Sequence, residues 1–283
     1  MTVIQGESGH VTYEVRENVA IITLTYPEKF NAMASDEYQD FHEFLQMAAE
    51  DPNTTVTIFQ STGKFFSAGA NVDPKKGAIS TSVGDPDDYI KERRGFMGPF
   101  FGRNISLTHL VFNHPKVFVV ALNGPVIGLT AAIIAMADLI YSLDSAFFLC
   151  PFANLALSAE GATSFTLVQR FGLSLATEAL VMSRPIKAQR LKECGFVNKL
   201  YPSSQFKSVE DFNSAVYKEI FESFKDLDRS SVLEIKGLLR VHMQDGFNQA
   251  NTLEALSGLN RFAKGLPQRR FLEVALKQRR HKL

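Results

Sequence analysis

The sequence predicts an α/β core followed by a helical C-terminal region, and three observations carry that reading. Up to about residue 200, apolar β-rich runs alternate with stretches of helical periodicity. The segment 117–137 carries no charge and is divided by Asn123-Gly124-Pro125. That is the pattern of a buried parallel strand, a turn and a buried helix. After Tyr201-Pro202-Ser203-Ser204 the periodicity is helical to the end. The expected division is therefore a core over 1–204 and a helical region over 205–283.

Residues 11–15 (VTYEV) and 19–26 (VAIITLTY) read as two strands joined at Arg16-Glu17-Asn18, a hairpin. Ser35 precedes Asp36 and Glu37, a helix start with acids in its first turn. Tyr38, Phe41, Leu45 and Ala48 continue that helix at the right spacing. The polar stretch 73–88 reads as a mobile loop and a candidate lid. Strands are expected at 55–61, 117–122, 139–143 and 146–150. Helical patterns cover 161–171, 174–183 and 187–194, with Gly172 and Gly195 as terminators.

Composition excludes several classes of function. Of 283 residues, 45% are apolar, enough to bury a core, so disorder is excluded as the dominant state. The 30 basic and 30 acidic side chains cancel, which argues against a nucleic-acid binder, since that needs a basic field. Cys150 and Cys194 are too few for a disulfide-built fold and suggest a reducing compartment. The segment 117–137 is long enough to cross a bilayer, but its central turn speaks for a buried strand and helix, and no membrane span is expected. The N-terminal MTVIQGESGH has the features of neither a secretory signal nor an arginine-rich transit peptide.

The common catalytic motifs are absent. No two glycines lie two apart, so G-x-G-x-x-G cannot occur, and no G-x-x-x-x-G-K-[ST] is found. Phe65 stands where G-x-S-x-G around Ser67 needs its first glycine. The histidines and cysteines show no metal spacing, and no metal is expected.

Three segments remain: 64–71 (KFFSAGAN), 122–132 (LNGPVIGLTAA) and 151–163 (PFANLALSAEGAT). Small residues at 67–70 let a ligand approach backbone N–H groups. A helix beginning near Leu129 turns its free N–H groups toward the same space. Two such donors make an oxyanion hole. Glu160 is the one carboxylate of the third segment, and in a dry site its pKa would rise toward neutrality, where a general base works best. Taken singly, each feature reads as structure before chemistry: a tight turn, a loop, a first-turn helix acid.

Together, in this order and spacing, they resemble the crotonase (enoyl-CoA hydratase/isomerase) superfamily. The resemblance extends to 26–32 (YPEKFNA), similar to the family's P-x-K-x-N-A stretch, and to 188–198 (AQRLKECGFVN), similar to its A-x-x-G-L-V element. Within the superfamily the chain looks most like fungal peroxisomal Δ3,Δ2-enoyl-CoA isomerases, through PFANLAL, the S-x-E-G run and the ending Gln278-Arg279-Arg280-His281-Lys282-Leu283.

The resemblance implies a spiral of ββα units with a C-terminal helical oligomerisation region, assembled as a homotrimer or hexamer. It implies isomerisation of 3-enoyl-CoA to trans-2-enoyl-CoA in peroxisomal β-oxidation, with CoA as part of the substrate and no separate cofactor. The family's hydratases carry two glutamates; the matching positions here are Ala132 and Phe152. Glu160 matches the isomerase base, and the N–H groups of Ala70 and Leu129 match the thioester-oxygen donors. Residues Ala68, Gly69, Ala70, Asn71 and Val72 are expected along the CoA path. Asn104 is expected to orient Glu160 or a water, unless it is surface polarity alone. Phe271 and Lys277 are expected to reach the nucleotide of the same or a neighbouring subunit, or else to serve the helical tail itself. His281-Lys282-Leu283 is expected to engage the peroxisomal import receptor and direct the chain to the matrix. Two alternatives stand beside this reading: a Δ3,5-Δ2,4-dienoyl-CoA isomerase, drawing a second carboxylate from Asp73, Asp85, Asp87 or Asp88, and a non-catalytic acyl-CoA-binding subunit.

Overall fold

The computed structural model describes residues 2–71, 89–276 and 278. The chain opens with β1 (Ile4–Gln5), β2 (Val11–Arg16) and β3 (Val19–Leu24), then α1 (Ser35–Glu50) and β4 (Val56–Ser61). Next come α2 (Tyr89–Pro99), a π-helix (Phe100–Leu107), α3 (Thr108–Phe112), β5 (Val117–Leu122), β6 (Val126–Ile127) and α4 (Gly128–Ile134). β7 (Leu139–Leu143), β8 (Phe147–Leu149), α5 (Thr163–Phe171), α6 (Leu173–Leu180), β9 (Ile186–Lys187), α7 (Ala188–Glu193) and β10 (Lys199–Tyr201) complete the α/β part. The remainder is helical: α8 (Val209–Phe224), α9 (Arg229–Val241), α10 (Gln244–Ala263) and α11 (Leu266–Ala275).

The hairpin forms as expected, with Val11 opposite Leu24. β3, β4, β5, β7 and β10 then run parallel in the order β1-β2-β3-β4-β5-β7-β10. Parallel strands covered on both faces must be apolar on both, and β3 and β5 are buried throughout. Alternate side chains divide between two layers. Ala20, Ile22, Phe59 and Phe118 face α1, while Val19, Ile21, Ile58 and Val119 face Phe212, Val216 and Ile220 of α8. A smaller sheet, β6-β8-β9, carries the chain toward the site. The uncharged segment 117–137 is thus a strand, a turn and a helix. Among the described residues no helix is long and apolar enough to cross a membrane.

Three details depart from the sequence reading. The first helix has Ala34, not Ser35, at its N-cap, and the Glu37 carboxylate accepts the Ala34 N–H at 2.7 Å. The stretch 89–112 is helical, although Gly95, Gly98, Pro99 and Gly102 interrupt its periodicity. A further strand, β10, extends the large sheet beyond β7.

The helical region is tied to the core through a buried ion cluster. Asp138, just before β7, takes Lys236 Nζ at 2.8 Å and Arg240 Nη2 at 2.6 Å from α9, and Phe118 N–H at 2.7 Å. Burial pulls the Lys236 ammonium down to about 8 against the attraction of Asp138. The Asp138 carboxyl sits below its ordinary value: burial opposes this, and the two cations outweigh it.

Candidate active site

The site is built where the two sheets approach. Extended backbone at 67–71 lies between two neighbours. Ser67 bridges Val126 of β6, and Ala70 bridges Met33. The second bridge uses Met33 N–H to Gly69 O and Asn71 N–H to Met33 O, both at 2.8 Å. Ala70's own N–H therefore points away from Met33, and it makes no hydrogen bond among the described residues. Gly69 has φ +85°, and a Cβ there would stand 2.7 Å from Ile127 O. Only glycine permits this closeness of 68–70 to 127–129. Ile127 caps α4, so Leu129 lies in a first turn whose N–H groups have no intrahelical partner. Ser67 Oγ stiffens the junction, bonding Asn31 O and Thr130 Oγ1 and accepting Gly69 N–H.

Glu160 comes from the turn between β8 and α5. Gly161 (φ +70°) lies against α4, where a Cβ would meet Ala132 Cβ at 2.7 Å and Leu129 Cδ1 at 3.4 Å. The glycine and Ala132 together let the turn rest on the first turns of α4. Thr163 Oγ1 donates to Glu160 O at 2.9 Å and fixes the residue's backbone. Ala70, Leu129 and Glu160 then line one cavity of about 750 Å³ including its open mouth, with Ala68, Gly69, Phe152, Leu155, Leu157, Phe262 and Phe271 among its walls.

The cavity is mostly apolar, and Glu160 is 8% exposed. Burial pushes its carboxyl up to about 7; the Arg103 guanidinium opposes the rise, Glu254 adds to it, and the Asn104 carboxamide opposes it slightly. Asn104 Nδ2 forms no hydrogen bond of ordinary geometry with any described residue, so its influence on Glu160 is that of a nearby dipole. Among the described residues, Glu160 is the only carboxylate in the cavity wall, and no cluster of three His, Cys, Asp or Glu side chains suits a metal ion. A buried base held near neutrality beside two unpaired amides can move a proton next to a carbonyl whose growing charge those amides receive.

The expected residues are only partly brought together. Ala68, Gly69, Ala70, Leu129, Glu160 and Phe271 share the cavity. Asn71 does not line it, and its N–H donates to Met33 O at 2.8 Å. Asn104 is buried, at 2% exposed, and does not line the cavity; its Oδ1 accepts from Arg103 Nε at 3.2 Å, and its carboxamide favours the charged form of Glu160. Phe271, 3% exposed, is a wall of its own chain's cavity, through α11 packing beside residues 153–155. Val72, Lys277, residues 73–88 with their four aspartates, and His281-Lys282-Leu283 lie outside the described residues. Arg103 and Glu254 were not singled out from the sequence. Glu254 had a signal: it falls on the stripe Phe247, Asn251, Gly258, Phe262 of α10, at helical spacing, as a carboxylate on an apolar face.

The family model for enoyl-CoA hydratase/isomerase matches residues 14–227. The chain belongs to that family. Over 281 residues it is 40% identical to a Pyricularia oryzae protein named Δ(3,5)-Δ(2,4)-dienoyl-CoA isomerase, covering 98% of this chain and 100% of that one. It is 36% identical to the 3,2-trans-enoyl-CoA isomerase of Saccharomyces cerevisiae, covering 96% of each. A mouse protein named enoyl-CoA delta isomerase 3, peroxisomal, is 26% identical over 91% of this chain and 75% of its own length. Among solved structures, an enoyl-CoA hydratase/isomerase from Pseudoalteromonas atlantica superposes with a TM-score of 0.76 at 21% identity, covering 97% of this chain and 99% of that one. The α/β spiral with its C-terminal helices is thus the crotonase fold.

Proposed function

We propose that the protein is a Δ3,Δ2-enoyl-CoA isomerase that moves the double bond of 3-enoyl-CoA to give trans-2-enoyl-CoA. The observation that carries this is the buried carboxyl of Glu160, the only carboxylate in the cavity wall among the described residues, in a cavity walled by two unpaired amides. Hydration needs one group to activate water and another to handle the α-proton. The positions where the family's hydratases carry glutamates hold Ala132 and Phe152 here, both buried. A 1,3-proton shift needs one base. Glu160 takes a proton from C2; the electrons move into a dienolate whose oxygen is held by the Ala70 and Leu129 N–H groups. The same carboxyl returns the proton at C4, and the double bond settles between C2 and C3. Losing one such donor typically costs about 3 kcal/mol of transition-state stabilisation. Asn104 favours the charged form of the Glu160 carboxyl. Ala68, Gly69 and Ala70 line the approach of CoA. No cofactor beyond the substrate's own CoA takes part.

A second reading, a Δ3,5-Δ2,4-dienoyl-CoA isomerase, is favoured by the name of the 40% identical relative. It requires a second carboxylate on the substrate, which the described part of the cavity does not supply. Assaying purified protein on 3-enoyl-, 3,5-dienoyl- and 2-enoyl-CoA in parallel separates the two readings and tests hydration as well. Glu160→Gln is expected to lower turnover by roughly 10²–10⁴-fold with acyl-CoA binding kept. Unchanged turnover removes Glu160 as the base, and a parent protein that binds acyl-CoA without turning it over is a binding subunit. We further place the protein in the peroxisome, through His281-Lys282-Leu283 and an import receptor, as a trimer or hexamer assembled through residues 205–283. Deleting Leu283 is expected to abolish organelle import.

A further inference from the structure

A second buried carboxylate lies beside the cavity without lining it. Glu254, 7% exposed on α10, accepts the Ser164 N–H at 2.7 Å through Oε1. Ser164 belongs to the first turn of α5, whose N-cap, Ala162, sits at φ +58° and offers no side-chain acceptor. The cap is therefore supplied by another helix, and a carboxylate suits that end of α5. The capped turn is the one that presents Glu160, since Thr163 N–H and Oγ1 both return to Glu160 O, at 3.4 and 2.9 Å. The link from Glu254 to Glu160 thus runs through three consecutive turn residues and α5.

The groups that act electrostatically on Glu160 come from three elements. Arg103 and Asn104 of the π-helix favour its charged form, and Glu254 of α10 opposes it. Tyr38 of α1 and Cys150 after β8 also feel the Glu160 charge, and burial drives both of these groups upward first. Cys150 feels Glu254 as well, which places both carboxyl groups around one buried thiol.

We infer that Glu254 is a positioning residue for the base: it clamps the 160–164 turn through Ser164 and sets a second negative charge behind Glu160. This rests on the assignment of Glu160 as the base. Glu254→Gln keeps an acceptor for Ser164 N–H and removes the charge, whereas Glu254→Ala removes both. With Glu254→Gln, thermal stability stays near that of the parent. The acidic limb of kcat, set in the parent by Glu160 at about 7, moves to lower pH by roughly half a unit. With Glu254→Ala, the midpoint moves likewise and stability also falls. A ¹³C titration of the Glu160 carboxyl in parent and Glu254→Gln reads the same shift without turnover. Coincident titrations in the two proteins overturn the inference. If Glu160→Gln abolishes turnover while Glu254→Gln leaves the midpoint unchanged, Glu254 alone is wrongly assigned. If Glu160→Gln turns over normally, the base assignment falls, and this inference falls with it.

Discussion

A carboxyl group held in an apolar cavity should weaken the fold at the pH where it works. Glu160 rises from its ordinary 4.5 to about 7 because burial disfavours its charge. Between those two values the unfolded chain has lost the proton that the folded chain still holds. Stability therefore declines as pH rises through that window, and above it the loss is constant. Each pKa unit corresponds to about 1.36 kcal/mol, so the full cost is about 3 kcal/mol. Glu160→Gln removes the titration while keeping size and shape. Urea unfolding of parent and variant at pH 4.5, 6, 7 and 8.5 measures the difference. The variant should gain on the parent by about 3 kcal/mol between the lowest and highest pH, with most of the change below pH 7. A stability gap that stays constant across this range would refute the claim that Glu160 is desolvated, and with it the basis for its reactivity.

Three further outcomes follow from the geometry. Gly69→Ala forces a Cβ to within 2.7 Å of Ile127 O at φ +85°, so it should cost at least about 1–2 kcal/mol and depress kcat by separating the two amides; denaturation and turnover measured together check it. Ala132→Glu, which writes a hydratase-type acid into this position, should destabilise the protein without conferring hydration, because Gly161 already abuts Ala132 Cβ; a stable variant that hydrates 2-enoyl-CoA would contradict this. Asp138→Ala strands two buried cations and should cost roughly 3–5 kcal/mol at neutral pH by urea midpoint. The gap should narrow as pH falls below the ordinary aspartate value of 3.8, where the parent's Asp138 takes up its proton.

Strands whose two faces are both buried announced themselves as runs rich in apolar and β-branched residues, which is why β3 (VAIITL), β4 (VTIFQS) and β5 (VFVVAL) could be placed from residue types alone. Glu160 and Gly69 were legible because lone charge and close backbone approach both constrain residue type, and Leu129 because the Asn123-Gly124-Pro125 turn marks where the following helix begins. The helix over 89–112 was not, since Gly95, Gly98, Pro99 and Gly102 break a 3.6-residue period and a π-helix follows a different one. That same helix buries Asn104, so a side chain expected at the surface ended 2% exposed and acting on the Glu160 carboxyl. Glu254 illustrates another limit: its spacing on α10 marks a carboxylate on an apolar face, but which turn it caps depends on where α10 docks, and no local pattern encodes a contact across about ninety residues, such as Glu254 to Ser164.

Phe262, Phe271 and Val274 belong to α10 and α11, so the last helices of the chain are also masonry of the reaction chamber. Chamber and tail are then thermodynamically one object: peeling α11 away demolishes a wall, and anything lodged inside recognises only the closed arrangement. By mass action, an occupant at a hundredfold its dissociation constant adds about 2.7 kcal/mol against such fraying. Any such occupant thus mortars its own enclosure, and resistance of α11 to proteolytic nicking becomes a gauge of how full the chamber is.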